Sequence, residues 1–400
     1  MKPSHRQLAL TSRWGWITLS TALLSACSTP LPPEEREQAP VFATAAPSAP
    51  SAAASAVTAQ VQAITTPVIT PQVLSTPGDA DSYGERADAR ALARDIAQTH
   101  ELDEAWVWSA LSAARYKGQA ARLMMPAPLG TAKNWGVYRS RFIEPIRIRA
   151  GMAFWQQYQG ELKRAEAQYG VPAEIIAGVI GVETIYGRYT GNFRVLDVLT
   201  TLSLDFPTGR SDRSPFFKSE LGAFLKLCAK QQLAPDAVLG SFAGAIGWPQ
   251  FMPSSIRRWG VDFDGNGQVD LQRSPVDAIG SVAHYLAEHG WRTGQPTHFA
   301  VTPPEDATAR AKLLAPDIVP SFSADEMRAL GASLPEAATQ HPGPLALVLL
   351  ENGDEAPTLI AGTQNFYVIT RYNQSSYYAL AVIELGQAVS QPPALPRGNP

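Results

Sequence analysis

"VPAEIIAGVIGVETIYGR", residues 171–188, is the stretch on which the fold turns. Placed on a helix, Ile176, Val179, Ile180 and Glu183 follow i, i+3, i+4, i+7 and share one face. Gly170 predicts the stop of a preceding helix, and Pro172 suits the first turn of this one. The shared face aims Glu183 at the apolar interior or at a cleft lined by it. Lost hydration there disfavours the charged form of a carboxyl and raises its pKa. A carboxylic acid that stays protonated near neutrality can donate a proton to a leaving oxygen. On pattern alone, an exposed helix-end carboxylate is the alternative. Gly178 and Gly181 each cost the helix up to about 1 kcal/mol relative to Ala. Close approach by another backbone or a bulky ligand would compensate.

Outward from this helix the period stays helical. "RADARALARDIAQTHELDEAWVWSALSAARY" predicts two helices, the second beginning at Leu102 or Asp103. "WGVYRSRFIEPIRIRAGMAFWQQYQGELKRAEAQYG" predicts a loop and then one long helix ended by Gly170. "LGAFLKLCAKQQ" reads as an amphipathic helix with Cys228 as a small buried apolar residue. Helices are expected to about residue 291. Beyond Gly294 the texture changes, and "HFAVTPP", "ALVLLENG" and "NFYVITRYN" read as strands. "YYALAVIELGQAV" returns to helix. The fold class is mainly α (α+β), and no internal repeat interrupts it.

The first residues predict a secretory signal. Lys2, Arg6 and Arg13 precede the apolar segment "WGWITLSTALLSA", which is too short and lopsided for a membrane span. "LSAC", Leu24 to Cys27, has the small residues before cysteine of a bacterial lipobox; a signal peptide with a chance cysteine is the alternative. Lipidation of Cys27 would anchor the mature chain firmly, and Ser28 in place of Asp favours the periplasmic side of the outer membrane. With Cys27 acylated, Cys228 has no partner for an internal disulfide. From Gln38 to Gly78 no residue is charged, and Ala, Pro, Ser, Thr and Val predominate, as in a disordered tether. Domains are expected at 1–26 (signal), 27–80 (lipidated cysteine and disordered tether), 81–165 (helical region), 166–292 (helical core with the acidic loop), 293–388 (β-containing region and closing helix) and 389–400 (Pro-rich tail). At 45% hydrophobic residues and a net charge of −3, the chain is an ordinary globular protein with no electrostatic case for nucleic acid. It carries no dinucleotide or P-loop fingerprint.

"GSFAGAIGWPQFMPSS", residues 240–255, combines glycines, alanines, an amide and hydroxyls. Such a run lets backbone approach a polar polymer while Ser241 and Gln250 supply hydrogen bonds; a Gly-rich loop between packed helices is the plainer reading. Together with "GVETIYGRYTGNFRVLDVLTTLSLDFP", "DAIGSVAHYLAEHGW" and "NFYVITRYNQSSYYALAV" it resembles the membrane-bound lytic murein transglycosylase B family. The likeness runs from about Trp135 to Ala388, with the segments in the family's order. It implies a lysozyme-like helical core with a flanking helical region and a small β-containing region. It also implies action on peptidoglycan glycan strands, cutting the β-1,4 bond between N-acetylmuramic acid and N-acetylglucosamine to form 1,6-anhydromuramoyl products. No cofactor for catalysis is implied. Glu183 matches the family's single acid/base. Tyr138, Ser241, Gln250, Tyr285, Tyr372, Asn373 and Tyr378 match its substrate cleft. Cell-wall synthesis enzymes are a further partner class that the resemblance leaves open.

"DFDGNGQVD" places Asp262, Asp264, Asn266, Gln268 and Asp270 on alternate positions, the opening of an EF-hand-like Ca²⁺ loop, with Gly267 at the turn. Gln268 would contribute its backbone carbonyl. Arg273 stands where a closing Glu is expected. The family closes its site with a later aspartate, here Asp277, although this loop carries one residue more before Pro275. A structural Ca²⁺ is the expectation, and an Asx-turn-rich surface loop the alternative. Other functions on the same residues are a hydrolytic muramidase, a non-catalytic peptidoglycan-binding lipoprotein and a Ca²⁺-responsive scaffold.

Overall fold

The computed structural model describes residues 82–125, 133–209 and 211–391. The expected signal, Cys27 and tether, and nearly all of the tail, lie outside the described residues. Helices α1 (Ala87–His100), α2 (Glu104–Ala113), α3 (Gly118–Leu123), α4 (Trp135–Ser140), α5 (Pro145–Gln157) and α6 (Gln159–Tyr169) lead to α7 (Ala173–Thr184). A two-residue strand, β1 (Phe193–Arg194), precedes α8 (Val195–Leu204) and α9 (Ser214–Gln231). Strand β2 (Leu239–Gly240), α10 (Pro253–Trp259) and α11 (Pro275–Glu288) follow. The remainder is β3 (His298–Ala300), α12 (Ala307–Leu314), α13 (Ala324–Ala329), α14 (Glu336–Thr339), β4 (Ala346–Asn352), β5 (Glu355–Gly362), α15 (Gln364–Thr370) and α16 (Ser376–Ser390).

Helix α7 is the hub. Its side chains are buried on nearly every face, and only Glu174 and Glu183 keep partial exposure. A helix apolar all round belongs inside a core. Gly170, at φ 71°, ends α6 in the left-handed conformation the sequence predicts. The two helix glycines mark close backbone approach. A Cβ at Gly178 would lie 2.2 Å from the Val382 carbonyl oxygen on α16, and one at Gly386 would lie 2.1 Å from the Glu174 carbonyl oxygen. Glycines on both helices thus let α7 and α16 pack almost backbone to backbone. The main core joins α1 to α11 with α15 and α16, from Tyr83 to Val389.

A three-stranded antiparallel sheet of order β3-β5-β4 stands after the helical core. Its register pairs His298 with Gly362 and Leu347 with Ala361. With α12 to α14 it closes a second, smaller core around Leu313, Met327, Leu345 and Leu347. The fold class is as expected, mostly helical with small sheets, and three local expectations are corrected. "NFYVITRYN" is not a strand but α15, started by the Thr363 hydroxyl, which accepts a hydrogen bond from Asn365 N at 3.1 Å. The central strand β5 lies in "EAPTLIAG", whose Pro and Gly hid it. The long helix before Gly170 breaks at Tyr158, where φ −113° and ψ 25° leave the helical range. Cys228 is fully buried, and burial pushes its thiol up to about 12.

Candidate active site

Glu183 sits in the last turn of α7. The residue keeps partial exposure, yet lost hydration is the largest influence on its carboxyl and pushes its pKa up to about 7. A hydrogen bond from Tyr378 and the positive charge of Arg147 oppose that rise. The Tyr378 hydroxyl donates to Glu183 Oε1 at 2.6 Å. Burial and the facing Glu183 charge hold that phenol's pKa far above the usual range, so it remains a donor. Helix α16 fixes it there, because Ser375 caps the helix with its hydroxyl accepting from Tyr378 N.

The end of α7 is held from several sides. Ile185, Tyr186 and Gly187 follow in sequence with φ of 52°, 55° and 81°. A β-branched residue at positive φ is uncommon and needs surroundings that enforce it. The Thr184 hydroxyl donates to the Trp248 carbonyl at 2.9 Å and accepts from Gly187 N at 3.0 Å. Trp248 lies where a Cβ on Gly187 would stand, 2.5 Å away. Arg147, buried on α5, donates to the carbonyls of Gly181 at 2.8 Å and Val182 at 3.1 Å.

The other sequence-selected residues fall on the surrounding walls. Tyr372 stacks on Tyr378 at 6.1 Å and 13°, and its hydroxyl donates to the Pro249 carbonyl. Tyr285 meets Tyr372 edge to face at 4.9 Å, with its hydroxyl donating to the Arg371 carbonyl at 2.8 Å. Tyr138 packs against Phe142 and Tyr377, near enough to Glu183 for the carboxylate charge to raise its own pKa after burial has done so. Asn373 is buried, and its Oδ1 has no partner among the described residues. Gln250 has φ 50°, and its Nε2 donates to the carbonyls of Thr190 and Gly247. Ser241 differs from a free donor to a polymer: its Oγ accepts from Ala243 N and Ala245 N and so shapes the Gly-rich loop. Tyr138, Tyr372 and Tyr378 are thus drawn around Glu183, Tyr285 stands behind Tyr372, and Gln250 is tied to the backbone of Thr190 and Gly247. Arg147 was missed. Its signal was available, because Arg147, Ala150, Gly151 and Phe154 are the buried i, i+3, i+4, i+7 face of α5.

The acidic loop lies between α10 and α11. Carboxylate oxygens of Asp262, Asp264 and Asp277 come within 4.8 Å of one another. Asp262 accepts from the backbone N of Gly265, Asn266 and Gly267, which winds the loop around it. The Asn266 side chain accepts from Gln268 N at 3.0 Å. Asp277 enters from the first turn of α11, accepting from Phe263 N, Asp264 N and Asp270 N. Arg273 pairs with Asp270 at 2.7 Å instead of facing the cluster. Hard carboxylate oxygens without nitrogen or sulfur are the donor chemistry Ca²⁺ takes.

The transglycosylase SLT domain family matches residues 84–387. Membrane-bound lytic murein transglycosylase B of Escherichia coli (strain K12) is 38% identical over 316 residues, 77% of this chain and 84% of that protein. The structure of E. coli lytic transglycosylase SLT35 in complex with calcium is similar with a TM-score of 0.66 at 38% identity, over 77% of this chain and 94% of that one. SltB3 of Pseudomonas aeruginosa, in complex with NAG-NAM-pentapeptide, is similar with a TM-score of 0.66 at 28% identity, over 78% and 82%. No helix among the described residues is long and apolar enough to cross a membrane.

Proposed function

The chain belongs to the SLT-domain family of lytic murein transglycosylases, and on that premise we propose that Glu183 is its single acid and base on peptidoglycan. The observation that carries this is Glu183 itself: a partly exposed residue whose carboxyl is hydrogen-bonded by Tyr378 and raised to about 7. Near neutral pH such a group is available both as acid and as carboxylate. Glu183 first protonates the glycosidic oxygen between N-acetylmuramic acid and N-acetylglucosamine. The muramoyl N-acetyl group assists at the anomeric carbon. The Glu183 carboxylate then removes the proton of the C6 hydroxyl, which closes the 1,6-anhydro ring without water. Tyr138, Tyr372 and Tyr378 give the cleft aromatic walls suited to sugar rings, with Asn373, Gln250, Ser241 and Tyr285 supporting the glycan site.

A glutamine at 183 keeps the shape of the side chain but cannot serve as acid or as base. Glu183→Gln should bind purified sacculi and release anhydromuropeptides at least 10²–10⁴-fold more slowly, about the worth of a placed proton donor. Mass spectrometry reads the product, since the anhydro form is lighter by one water than a hydrolytic one. Near wild-type release by Glu183→Gln would remove Glu183 from the chemistry.

Two further readings rest on narrower support. Asp262, Asp264, Asn266, the Gln268 carbonyl and Asp277 would hold a structural Ca²⁺, supported by the convergence of carboxylates and by the calcium complex of a relative. The "LSAC" sequence supports a lipid on Cys27 that anchors the enzyme on the periplasmic side of the outer membrane. Cys27→Ala should then move the enzyme from the membrane fraction to the soluble one, and membrane retention would contradict it.

A further inference from the structure

Among the groups facing Glu183, one carries a permanent positive charge, and it comes from a different helix. Arg147 lies on α5, 9% exposed, with its guanidinium 4.9 Å from the centre of the Phe142 ring. Its Nη1 donates to the carbonyls of Gly181 and Val182, the two residues before Glu183. Those carbonyls belong to the last turn of α7, where the Gly181 oxygen also accepts from Ile185 N at 3.1 Å. The positive charge therefore sits at the negative end of the α7 dipole, which favours it there. Next to it, the Tyr186 ring fills the gap between Gly151 and Gly181, with a Cβ on either glycine falling 2.5 Å or 2.4 Å from the phenolic oxygen. The turn that carries the carboxyl is thus held by a charge and by the aromatic ring beside it.

We propose that Arg147 is a positioning residue of the reaction, clamping the last turn of α7 and supplying the fixed buried charge that stabilises the Glu183 carboxylate formed at mid-cycle. The proposal rests on Glu183 being the acid and base. A catalyst with one carboxyl must hold both protonation states in turn. Burial favours the neutral form, and the Tyr378 hydroxyl and Arg147 favour the anion. Tyr378 on α16, Tyr372 between α15 and α16, and Tyr138 on α4 also face the carboxyl, but each is neutral, with its pKa raised. Arg147 in turn is faced by Glu144, Tyr186, Glu183 and Tyr138, and burial lowers its pKa more than these raise it. A guanidinium starts from so high a pKa that it stays charged under such burial, and the facing Glu144 and Glu183 favour a positive charge at this position.

The test is the pH profile of anhydromuropeptide release by Arg147→Gln and Arg147→Lys, with kcat and KM measured separately. The alkaline limb reports loss of the Glu183 proton. In Arg147→Gln the missing positive charge should move that limb upward by about one pH unit. kcat should fall about 10- to 100-fold, because the carboxyl is no longer held in place. KM should change little. Arg147→Lys should return the limb to its wild-type position with kcat still below wild type, since an ammonium cannot reproduce the planar fork. An unmoved limb in folded Arg147→Gln, or a wild-type kcat in it, overturns the proposal. Should Arg147→Gln fail to fold, Arg147→Lys decides alone, and a displaced limb or a wild-type kcat there overturns it. Glu183→Gln, assayed beside them, separates the two readings: full turnover there would sink the role of Glu183, whereas its loss with an unmoved Arg147→Gln limb would sink only that of Arg147.

Discussion

A carboxyl raised from 4.5 to about 7 leaves a signature in stability as well as in rate. Below about pH 4.5 both the folded and the unfolded chain carry the Glu183 proton. Between there and pH 7 only the folded chain holds it, so stability falls as pH rises through this window and stays at the lower level above it. Glu183→Gln has no charge to bury. It should match the wild type at pH 4 and exceed it at pH 8 by roughly 1–3 kcal/mol, allowing for the partial exposure of the residue. Urea unfolding at the two pH values reads the difference, and an equal gain at both would contradict a buried charge. At this scale the sequence was informative where period and chemistry coincided. Glu183 stood out because a carboxylate closed an apolar i, i+3, i+4, i+7 run. Arg147 did not, because in "IRIR", residues 146–149, an arginine heading the face completed by Ala150, Gly151 and Phe154 passes for a solvated charge although the period that turns it inward is present. The Ser241 hydroxyl was legible as a polar group, but its use by Ala243 N and Ala245 N depends on how the loop folds back.

The α7–α16 pair is the element-level counterpart. Gly178→Ala would force a methyl group to 2.2 Å from the Val382 carbonyl, and backbone cannot yield as a side chain tip can. Overpacking of this kind costs about 1–3 kcal/mol or more, so the melting temperature should fall by about 5 °C or more. Gly160 is the control: it also lies in a helix, but a Cβ there meets nothing within 4 Å. Gly160→Ala should be neutral or stabilising by up to about 1 kcal/mol from helix propensity alone. Equal melting of the two variants would show that α7 and α16 do not touch as described. The sequence announced that the α7 glycines needed a close neighbour but could not say that α16, about 200 residues later, supplies it. "NFYVITRYN" misled for the converse reason. Its Val, Ile, Thr and aromatic residues favour strands in isolation. The Thr363 cap and the packing of Phe366, Val368 and Ile369 into the main core decide for helix.

At the scale of the whole molecule, the cleft is assembled from segments distant in the chain: α4 and α5, the end of α7, the Gly-rich loop and the α15–α16 connection. The helical core was legible because long apolar periods define it. The small helices of residues 307–339 were not, because each is too short to show a period and they gain their burial only against the sheet. The acidic loop belongs to this scale, since it joins α10 to α11, and α11 packs on α6 and α7. Three carboxylates within 4.8 Å repel one another unless a cation or a proton intervenes. A cation bound only by the folded chain adds stability by linkage, about 2.7 kcal/mol at a hundredfold excess over its dissociation constant. In the mechanism proposed for Glu183 neither proton transfer uses the ion. Chelation should therefore lower the melting temperature by several degrees, while turnover at low temperature, where the apo chain is still folded, stays within about twofold. Asp277→Ala should reproduce the thermal loss and abolish the response to added Ca²⁺, since it removes both a carboxylate of the cluster and the acceptor for Phe263 N, Asp264 N and Asp270 N. Wild-type melting curves that coincide with Ca²⁺ and with chelator would rule out a structural ion, and a turnover that fell in step with metal loss at low temperature would place the ion in the chemistry instead.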